Sequence, residues 1–163
     1  MIEVVVMSDI EVLKAVEEIR QLEARYARYA DEKRWADVAS LFTIDGTFTP
    51  QGTDGKPLAV LSGRQQIRES LTALGAGDVT LIHMLLTSEI EILSPSTAKG
   101  IWAMADLIFR NEDPPPSSDE MSNIPPFKTM RGWGHYHVDY MRNDGAWYIS
   151  KRVQTRARLE FGD

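Results

Sequence analysis

The sequence predicts an α+β fold in which helices come first and a run of long strands follows. Apolar residues recur at intervals of three and four over 9–30 and 63–74, which is the period of a helix with one buried face. From Val79 onward, three turn signals divide the chain into four long segments of strand character. Strands of this length must twist and bend. We therefore expect a cone-shaped α+β barrel, in which a strongly curved, antiparallel mixed sheet wraps around the N-terminal helices and encloses one deep pocket.

Each helical segment has its own start and stop signals. Ser8 or Asp9 can cap the first helix, because a short oxygen-bearing side chain satisfies the free amides at a helix N-terminus. This helix is expected to end near Ala30, and a second, shorter apolar stripe begins at Trp35. The third helix is expected to end before Gly75. A first hairpin is expected between the second and third helices, with strands at 46–50 and 58–61 and a turn at 53–56.

The turn signals between the long strands differ in length. Two are short, at 94–96 and 143–145. The segment from Asn111 to Phe127 is rich in proline and is too long for a plain hairpin connection. Two interpretations of it stay open: a disordered surface excursion, or a pocket lid or subunit contact.

Composition limits the classes of protein and of partner. With 163 residues, of which 43% are hydrophobic, the chain suits a single domain over 1–163. Residues 1–8 are expected to form a short edge strand, a flexible arm or a leader, without the pattern of a signal peptide. The net charge of -6 and the scattered Lys and Arg argue against a nucleic-acid partner, and no run has the length of a membrane span. The absence of cysteine excludes disulfides and thiolate zinc sites, so we expect a cytoplasmic protein.

Three titratable residues interrupt the apolar pattern. Asp31 follows the stripe of the first helix, where a carboxylate either points to water or is held in a partly dry site. His83 lies inside an apolar strand, where a lone histidine is more often a satisfied core residue than a catalyst. Asp106 shares a strand face with Trp102 and Met104, and is either a strand-end residue facing water or a pocket residue.

Other polar residues allow two interpretations each. Tyr26 is either a core tyrosine or a hydrogen-bond donor to a developing enolate. Arg156 alternates with other polar residues, a pattern typical of a solvated strand face. His135 and His137 place two imidazoles on the strand face of Asp139, but a metal site needs a clear third ligand. We expect neither a metal nor an organic cofactor.

Several short motifs resemble, in their order and spacing, the SnoaL-like superfamily, which shares the cone of the nuclear transport factor. They are Asp31-x-x-x-Trp35, Leu81-Ile82-His83-Met84, Gly100-Ile101-Trp102 with Asp106, and Asp144-Gly145-Ala146-Trp147-Tyr148-Ile149. The pattern is most similar to scytalone dehydratase, the bile-acid dehydratases and lindane dehydrochlorinase. The resemblance implies that His83 removes a substrate proton while Asp31 fixes its tautomer and stabilises the imidazolium.

The resemblance also implies roles for residues that the pattern alone leaves open. Asp106, Tyr26 and Arg156 match active-site residues of the bile-acid dehydratases. Scytalone dehydratase has a histidine at the position of Trp102, so scytalone is not the expected substrate.

Within this family, one face of the strand around Tyr136 turns toward the cavity. The resemblance therefore places Gly134, Tyr136 and Val138 inside, and His135 and His137 on the convex side, where cone-fold proteins usually form dimers. The apolar wall that binds substrate is expected to contain Trp102, Met104, Tyr136, Val138 and Phe109.

Three functions are compatible with these observations. The first is a cofactor-free lyase or isomerase (a dehydratase, isomerase or cyclase) that acts on a small, hydrophobic, ring-containing molecule and forms a homo-oligomer, a dimer or trimer. The second is a non-catalytic module of the same fold that binds a small molecule or a protein. The third is a structural subunit resembling the small subunit of ring-hydroxylating dioxygenases. The joint presence of Asp31 and His83 favours the enzyme, because a scaffold does not need both.

Overall fold

A computed structural model describes residues 7–113 and 125–162. Residues 1–6 of the predicted arm at 1–8 lie outside the described residues. Residues 114–124 of the proline-rich segment lie outside them as well. Met7 packs against the hydrophobic core. None of the helices in residues 7–113 and 125–162 combines the length and the hydropathy of a membrane-spanning segment.

The three helices precede the long strands, as the sequence predicts. The helices are α1 (Asp9–Asp31), α2 (Trp35–Ser40) and α3 (Gly63–Leu74), and the strands are β1 (Phe42–Pro50), β2 (Leu61–Ser62), β3 (Val79–Ser94), β4 (Thr97–Arg110), β5 (Thr129–Asn143) and β6 (Ala146–Gly162). The six strands form one sheet in the order β2-β1-β6-β5-β4-β3. The α+β cone fold is confirmed, with a sheet that is curved but not closed.

Helix α1 begins with a capping box and buries one stripe against the sheet. The Ser8 hydroxyl accepts from the Glu11 backbone N–H at 3.3 Å, and the Glu11 carboxylate accepts from the Ser8 N–H at 2.8 Å. Each bond satisfies an amide that has no partner within the helix. Of the two predicted caps, Ser8 is therefore the one used. The stripe contains Ala15, Ile19, Leu22, Tyr26 and Ala30, spaced by three or four residues.

The first hairpin differs from the prediction. The returning strand is limited to Leu61–Ser62, and an isolated bridge between Gln51 and Pro57 precedes it. Strand β1 begins at Phe42 rather than at residue 46, because it pairs in parallel with β6 on its other side. A parallel partner that lies a hundred residues away leaves no signal in the local sequence.

The four long strands follow the prediction closely. Asp144 (φ 49°) and Gly145 (φ 82°) form the two-residue turn between β5 and β6, in which both positions need positive φ. Irregularities in register between residues 85 and 88, 133 and 134, and 139 and 140 accompany the bending of the sheet. The inward residues of the strands and the stripe of α1 form the main core.

Candidate active site

Asp31 and His83 are in direct contact. Asp31 is the last residue of α1 and His83 lies on β3. The Asp31 Oδ1 atom is 2.7 Å from His83 Nδ1, and it also accepts the His83 backbone N–H at 2.9 Å. The structure therefore brings together the two residues that the resemblance pairs. A carboxylate at Nδ1 favours the tautomer with the proton on Nδ1, which leaves the lone pair on Nε2.

The imidazole of His83 faces a cavity between the helices and the sheet. Its side chain is 15% exposed, whereas that of Asp31 is 34% exposed. Asp31 does not line the cavity, so it contacts the cavity only through His83. Within the described part of the chain, Nε2 makes no hydrogen bond. This nitrogen is therefore the one available to a molecule in the cavity.

Asp106 forms a buried ion pair with Arg156 in the wall of the same cavity. Arg156 donates from Nη1 to Asp106 Oδ1 at 2.6 Å and from Nη2 to Oδ2 at 2.7 Å. The side chain of Arg156 is 4% exposed and that of Asp106 is 6% exposed. Gln154 Nε2 donates to Oδ2 at 3.2 Å. Two parallel charge-assisted bonds fix the plane of the Asp106 carboxylate relative to the plane of the Arg156 guanidinium. The sequence pattern of Arg156 suggested a solvated face, but this part of β6 turns inward.

Gly132 provides the space for this ion pair. It lies opposite Asp106 on β5, and a Cβ atom at this position would overlap both Arg156 Nη1 and Asp106 Oδ1. His83 lies opposite Asp106 on the other side, on β3. The imidazole and the ion pair are therefore neighbours across the sheet on the same face.

Tyr26 lies on α1, five residues before Asp31, and also lines the cavity. Its ring is buried and makes edge contacts with Phe42 and Tyr136, at centroid distances of 6.3 and 6.1 Å. Burial raises the pKa of the Tyr26 phenol, and the Arg152 charge opposes this only in part. The phenol is therefore a hydrogen-bond donor at neutral pH.

The rest of the cavity wall is mainly apolar. The volume open to the centres of water molecules is about 70 Å³. The apolar lining includes Phe48, Leu71, Leu81, Ile108, Met130 and Leu159. Such a wall with few polar groups is typical of a site for a small apolar molecule.

The profile of the SnoaL-like domain family matches residues 11–153, most of the chain. This chain belongs to the SnoaL-like family. The type 2 hexachlorocyclohexane dehydrochlorinase LinA has a similar structure, with 18% identity, a TM-score of 0.75, and coverage of 96% of this chain and 94% of that one. A protein of Novosphingobium aromaticivorans described as a scytalone dehydratase is 15% identical, with a TM-score of 0.76 and coverage of 96% and 93%.

A further similar structure is that of a Novosphingobium aromaticivorans protein described as the β subunit of an aromatic-ring-hydroxylating dioxygenase. It is 13% identical, with a TM-score of 0.71 and coverage of 91% of this chain and 93% of that one. At these identities the similarity shows a common fold. The activity of this SnoaL-like chain has to be argued from its own residues.

The predicted apolar wall is correct only in part for this SnoaL-like chain. Tyr136 lines the cavity. Trp102, Met104 and Val138 face inward but lie in the core rather than in the cavity wall. The prediction for Phe109 is wrong, because it alternates with Asp106 and Ile108 and so lies on the opposite face of β4.

The two remaining histidines face outward. Along β5, Gly134, Tyr136 and Val138 are buried whereas His135 and His137 are exposed, as the resemblance implied. The two imidazole centroids are 6.3 Å apart, and His137 Nε2 is 3.3 Å from the Thr155 hydroxyl. In residues 7–113 and 125–162, no group of three or more His, Cys, Asp or Glu has the arrangement of a metal site.

Sequence reasoning missed a second buried ion pair, between Glu23 and Arg152. Both side chains are fully buried, and Arg152 Nη2 donates to Glu23 Oε2. Tyr140 donates to Glu23 Oε1 at 2.7 Å and accepts from Trp102 Nε1 at 2.8 Å. The only signal was the position of Glu23, beside Leu22 in the stripe of α1 and one turn before Tyr26.

The guanidinium of Arg152 lies between two aromatic rings. Its Cζ atom is 3.7 Å from the centroid of Tyr26 and 4.5 Å from that of Tyr136. Burial lowers the pKa of Arg152, but the Glu23 charge, together with Tyr26, Tyr136 and Tyr140, raises it by a larger amount, so the net pKa is above its usual range. Arg152 therefore remains charged beneath the phenol rings that line the cavity.

Proposed function

We propose that this protein is a cofactor-free lyase or isomerase (a dehydratase, isomerase or cyclase) that removes a proton from a small, uncharged, ring-containing molecule. The observation that carries the proposal is the 2.7 Å contact between Asp31 Oδ1 and Nδ1 of a histidine that faces the cavity. His83 is the base and Asp31 its positioning residue. This arrangement is the one that general-base catalysis by imidazole requires.

The proton transfer uses the two nitrogens of His83 differently. Nε2 takes a proton from a carbon next to a carbonyl or a leaving group, while Nδ1–H stays bonded to Asp31. The imidazolium that forms is stabilised by the Asp31 carboxylate. The electron pair of the broken C–H bond moves toward the carbonyl oxygen, or expels the leaving group. His83 then returns the proton to the product or to a leaving hydroxyl, so that no other reagent is consumed.

Tyr26 supplies the donor for the developing negative charge, and Arg156 forms a neutral pair with Asp106 in the cavity wall. The Tyr26 phenol is protonated, because burial raises its pKa, and so it donates to an enolate oxygen. Arg156 is neutralised by Asp106, whose two oxygens already accept hydrogen bonds. This pairing makes Asp106 a poor second base. It also favours an uncharged substrate, because no unpaired cation remains in the described wall to bind an anion.

Two of the similar structures support an elimination or a related reaction. One is a dehydrochlorinase and another is described as a scytalone dehydratase. The similarity to a dioxygenase β subunit supports the alternative, a non-catalytic subunit or binding module.

We propose that the protein is cytoplasmic and a homodimer or homotrimer, and the convex face of the sheet supports the self-association. Four large apolar side chains on β3, β4 and β5 point outward and are 37–38% exposed: Ile82, Met84, Ile101 and Trp133. An exposed apolar face of this kind is typical of a protein interface.

The experiment uses a panel of cyclic ketones and alcohols in deuterated water, followed by NMR for deuterium incorporation or water loss. Wild type is expected to exchange protons next to the carbonyl of at least one compound, and His83→Ala to lose this activity by about 10²- to 10⁴-fold. His137→Ala is the matched control, because it removes an imidazole from the opposite face. Exchange that persists in His83→Ala excludes His83 as the base. Binding without any exchange supports the binding module.

A further inference from the structure

Trp35 and Gly75 are in contact at the cavity. A Cβ atom on Gly75 would overlap Trp35 Cζ2 and would lie 3.0 Å from Trp35 Cε2. Gly75 ends α3 with φ -87° and ψ 9°, a conformation open to every residue type. The glycine is therefore needed for space and not for its backbone freedom, and the space is filled by the indole.

The position of this indole is tied to that of the dyad. Trp35 begins α2 four residues after Asp31, and Lys33 in the turn between them has φ 57°. The Lys33 ammonium donates to the Gly77 carbonyl oxygen at 3.2 Å, which joins the turn to the loop after α3. One short segment thus holds both the carboxylate that orients His83 and the indole that lines the same cavity.

Trp35 also connects the two parts of the core. The main cluster lies under α1, and a smaller cluster around Ile108 and Met130 lies at the other end of the long strands. The partly buried Trp35 and Leu74 pack against both clusters and line the cavity. A side chain that is partly exposed and forms cavity wall limits the width of the cavity.

We propose that Trp35, packed on Gly75, limits the width of the cavity that His83 also lines and so excludes larger fused-ring ketones. This inference rests on the proposed function and adds the size of its substrate. Only about 70 Å³ of this cavity is open to the centres of water molecules, so the side chains of its wall determine which molecules fit. Trp35 is accordingly a residue that determines specificity.

The test measures the binding of two uncharged ketones, cyclohexanone and a tricyclic tetrahydrophenanthrenone, by NMR titration. It uses Trp35→Leu and Gly75→Ala, with Trp133→Leu as the matched control, because Trp133 lies on the convex face. Trp35→Leu is expected to increase affinity for the tricyclic ketone relative to cyclohexanone by about ten-fold or more. Gly75→Ala is expected to shift the Trp35 indole N–H resonance and to change the same ratio. Trp133→Leu is expected to leave the ratio unchanged.

An unchanged ratio in Trp35→Leu overturns the inference, and so does a failure of both ketones to bind any variant. Repeating the titrations in His83→Ala separates this inference from the proposed function. If Trp35→Leu shifts the affinity ratio but wild-type protein, which carries His83, exchanges no protons, only the proposed function is overturned. If proton exchange depends on His83 but Trp35→Leu does not change the affinity ratio, only the role of Trp35 is overturned.

Discussion

The carboxylate of Asp31 accepts two hydrogen bonds from His83, one from the backbone N–H and one at ring Nδ1, and both end on Oδ1. The backbone bond positions the strand that carries the imidazole, while the side-chain bond orients the ring. Both bonds need an acceptor at Asp31, so the carboxylate determines where Nε2 lies and which tautomer His83 adopts.

Replacing Asp31 by Asn is expected to reduce the rate of proton exchange by about 10²- to 10⁴-fold while the affinity for the ketone stays close to wild type. The amide can donate to Nδ1, which moves the histidine proton to Nε2 and removes the base. Exchange rates and dissociation constants are measured by NMR on the same samples. Asp37→Asn is the control, because the Asp37 carboxylate accepts a hydrogen bond from Arg34 in its own exposed segment. Equal loss of affinity and rate would contradict the role of Asp31 as orienter.

Introducing a methyl group at Gly132 is expected to separate Arg156 from Asp106. Gly132→Ala places Cβ in the volume of both partners, and such overpacking costs about 1–3 kcal/mol of unfolding free energy. Urea denaturation measures this cost. In an Arg156→Leu background the cost is expected to be smaller, because the guanidinium that overlaps Cβ is absent. Strictly additive effects of the two substitutions would contradict this explanation.

The helices and the four long strands were predictable from the sequence, because period and turn residues are local signals. The pairing of Asp31 with His83 was implied only by the family resemblance, since the local pattern leaves Asp31 open and favours a core histidine at His83. The parallel pairing of β1 with β6 was not predictable, since it joins distant segments. Glu23 and Arg152 were missed for the same reason: each charge looks unfavourable alone, and only the fold brings them together. Phe109 was assigned to the cavity although strand alternation from Asp106 places it on the other face.

Removing Glu23 is expected to destabilise the fold far more than removing a surface carboxylate. Glu23→Ala leaves the Arg152 charge buried without a partner and leaves Tyr140 without its acceptor, at a cost of about 3–5 kcal/mol. Glu17→Ala on the exposed face of α1 is the control, with an expected change within about 0.5 kcal/mol. Urea denaturation midpoints measure both. Similar midpoints for the two variants would show that the Glu23–Arg152 pair contributes little.

Three buried tyrosines make the protein sensitive to alkaline pH. Burial raises the pKa of Tyr26, Tyr136 and Tyr140 above the usual tyrosine value of 10.0. Above that pH the unfolded chain loses phenol protons that the folded protein keeps, so the unfolded state binds fewer protons. The free energy of unfolding therefore falls as pH rises, by about 1.4 kcal/mol per pH unit for each such tyrosine. Below pH 10 these phenols are protonated in both states, and this contribution to stability is fully present.

Substituting the tyrosines separates their contribution from that of other groups that titrate in the same range. Urea denaturation is measured at several pH values between about 9 and 11, the range around the tyrosine value. In Tyr26→Phe the unfolding free energy is expected to fall less steeply with pH, by the contribution of about one tyrosine. In the double variant Tyr26→Phe with Tyr136→Phe, the slope is expected to decrease by the contribution of about two. Comparison with wild type at each pH removes the effects of lysines, which all three proteins share. A slope that is identical in the three proteins would mean that these phenols titrate alike in the folded and unfolded states, and would contradict their burial as the cause of the alkaline sensitivity.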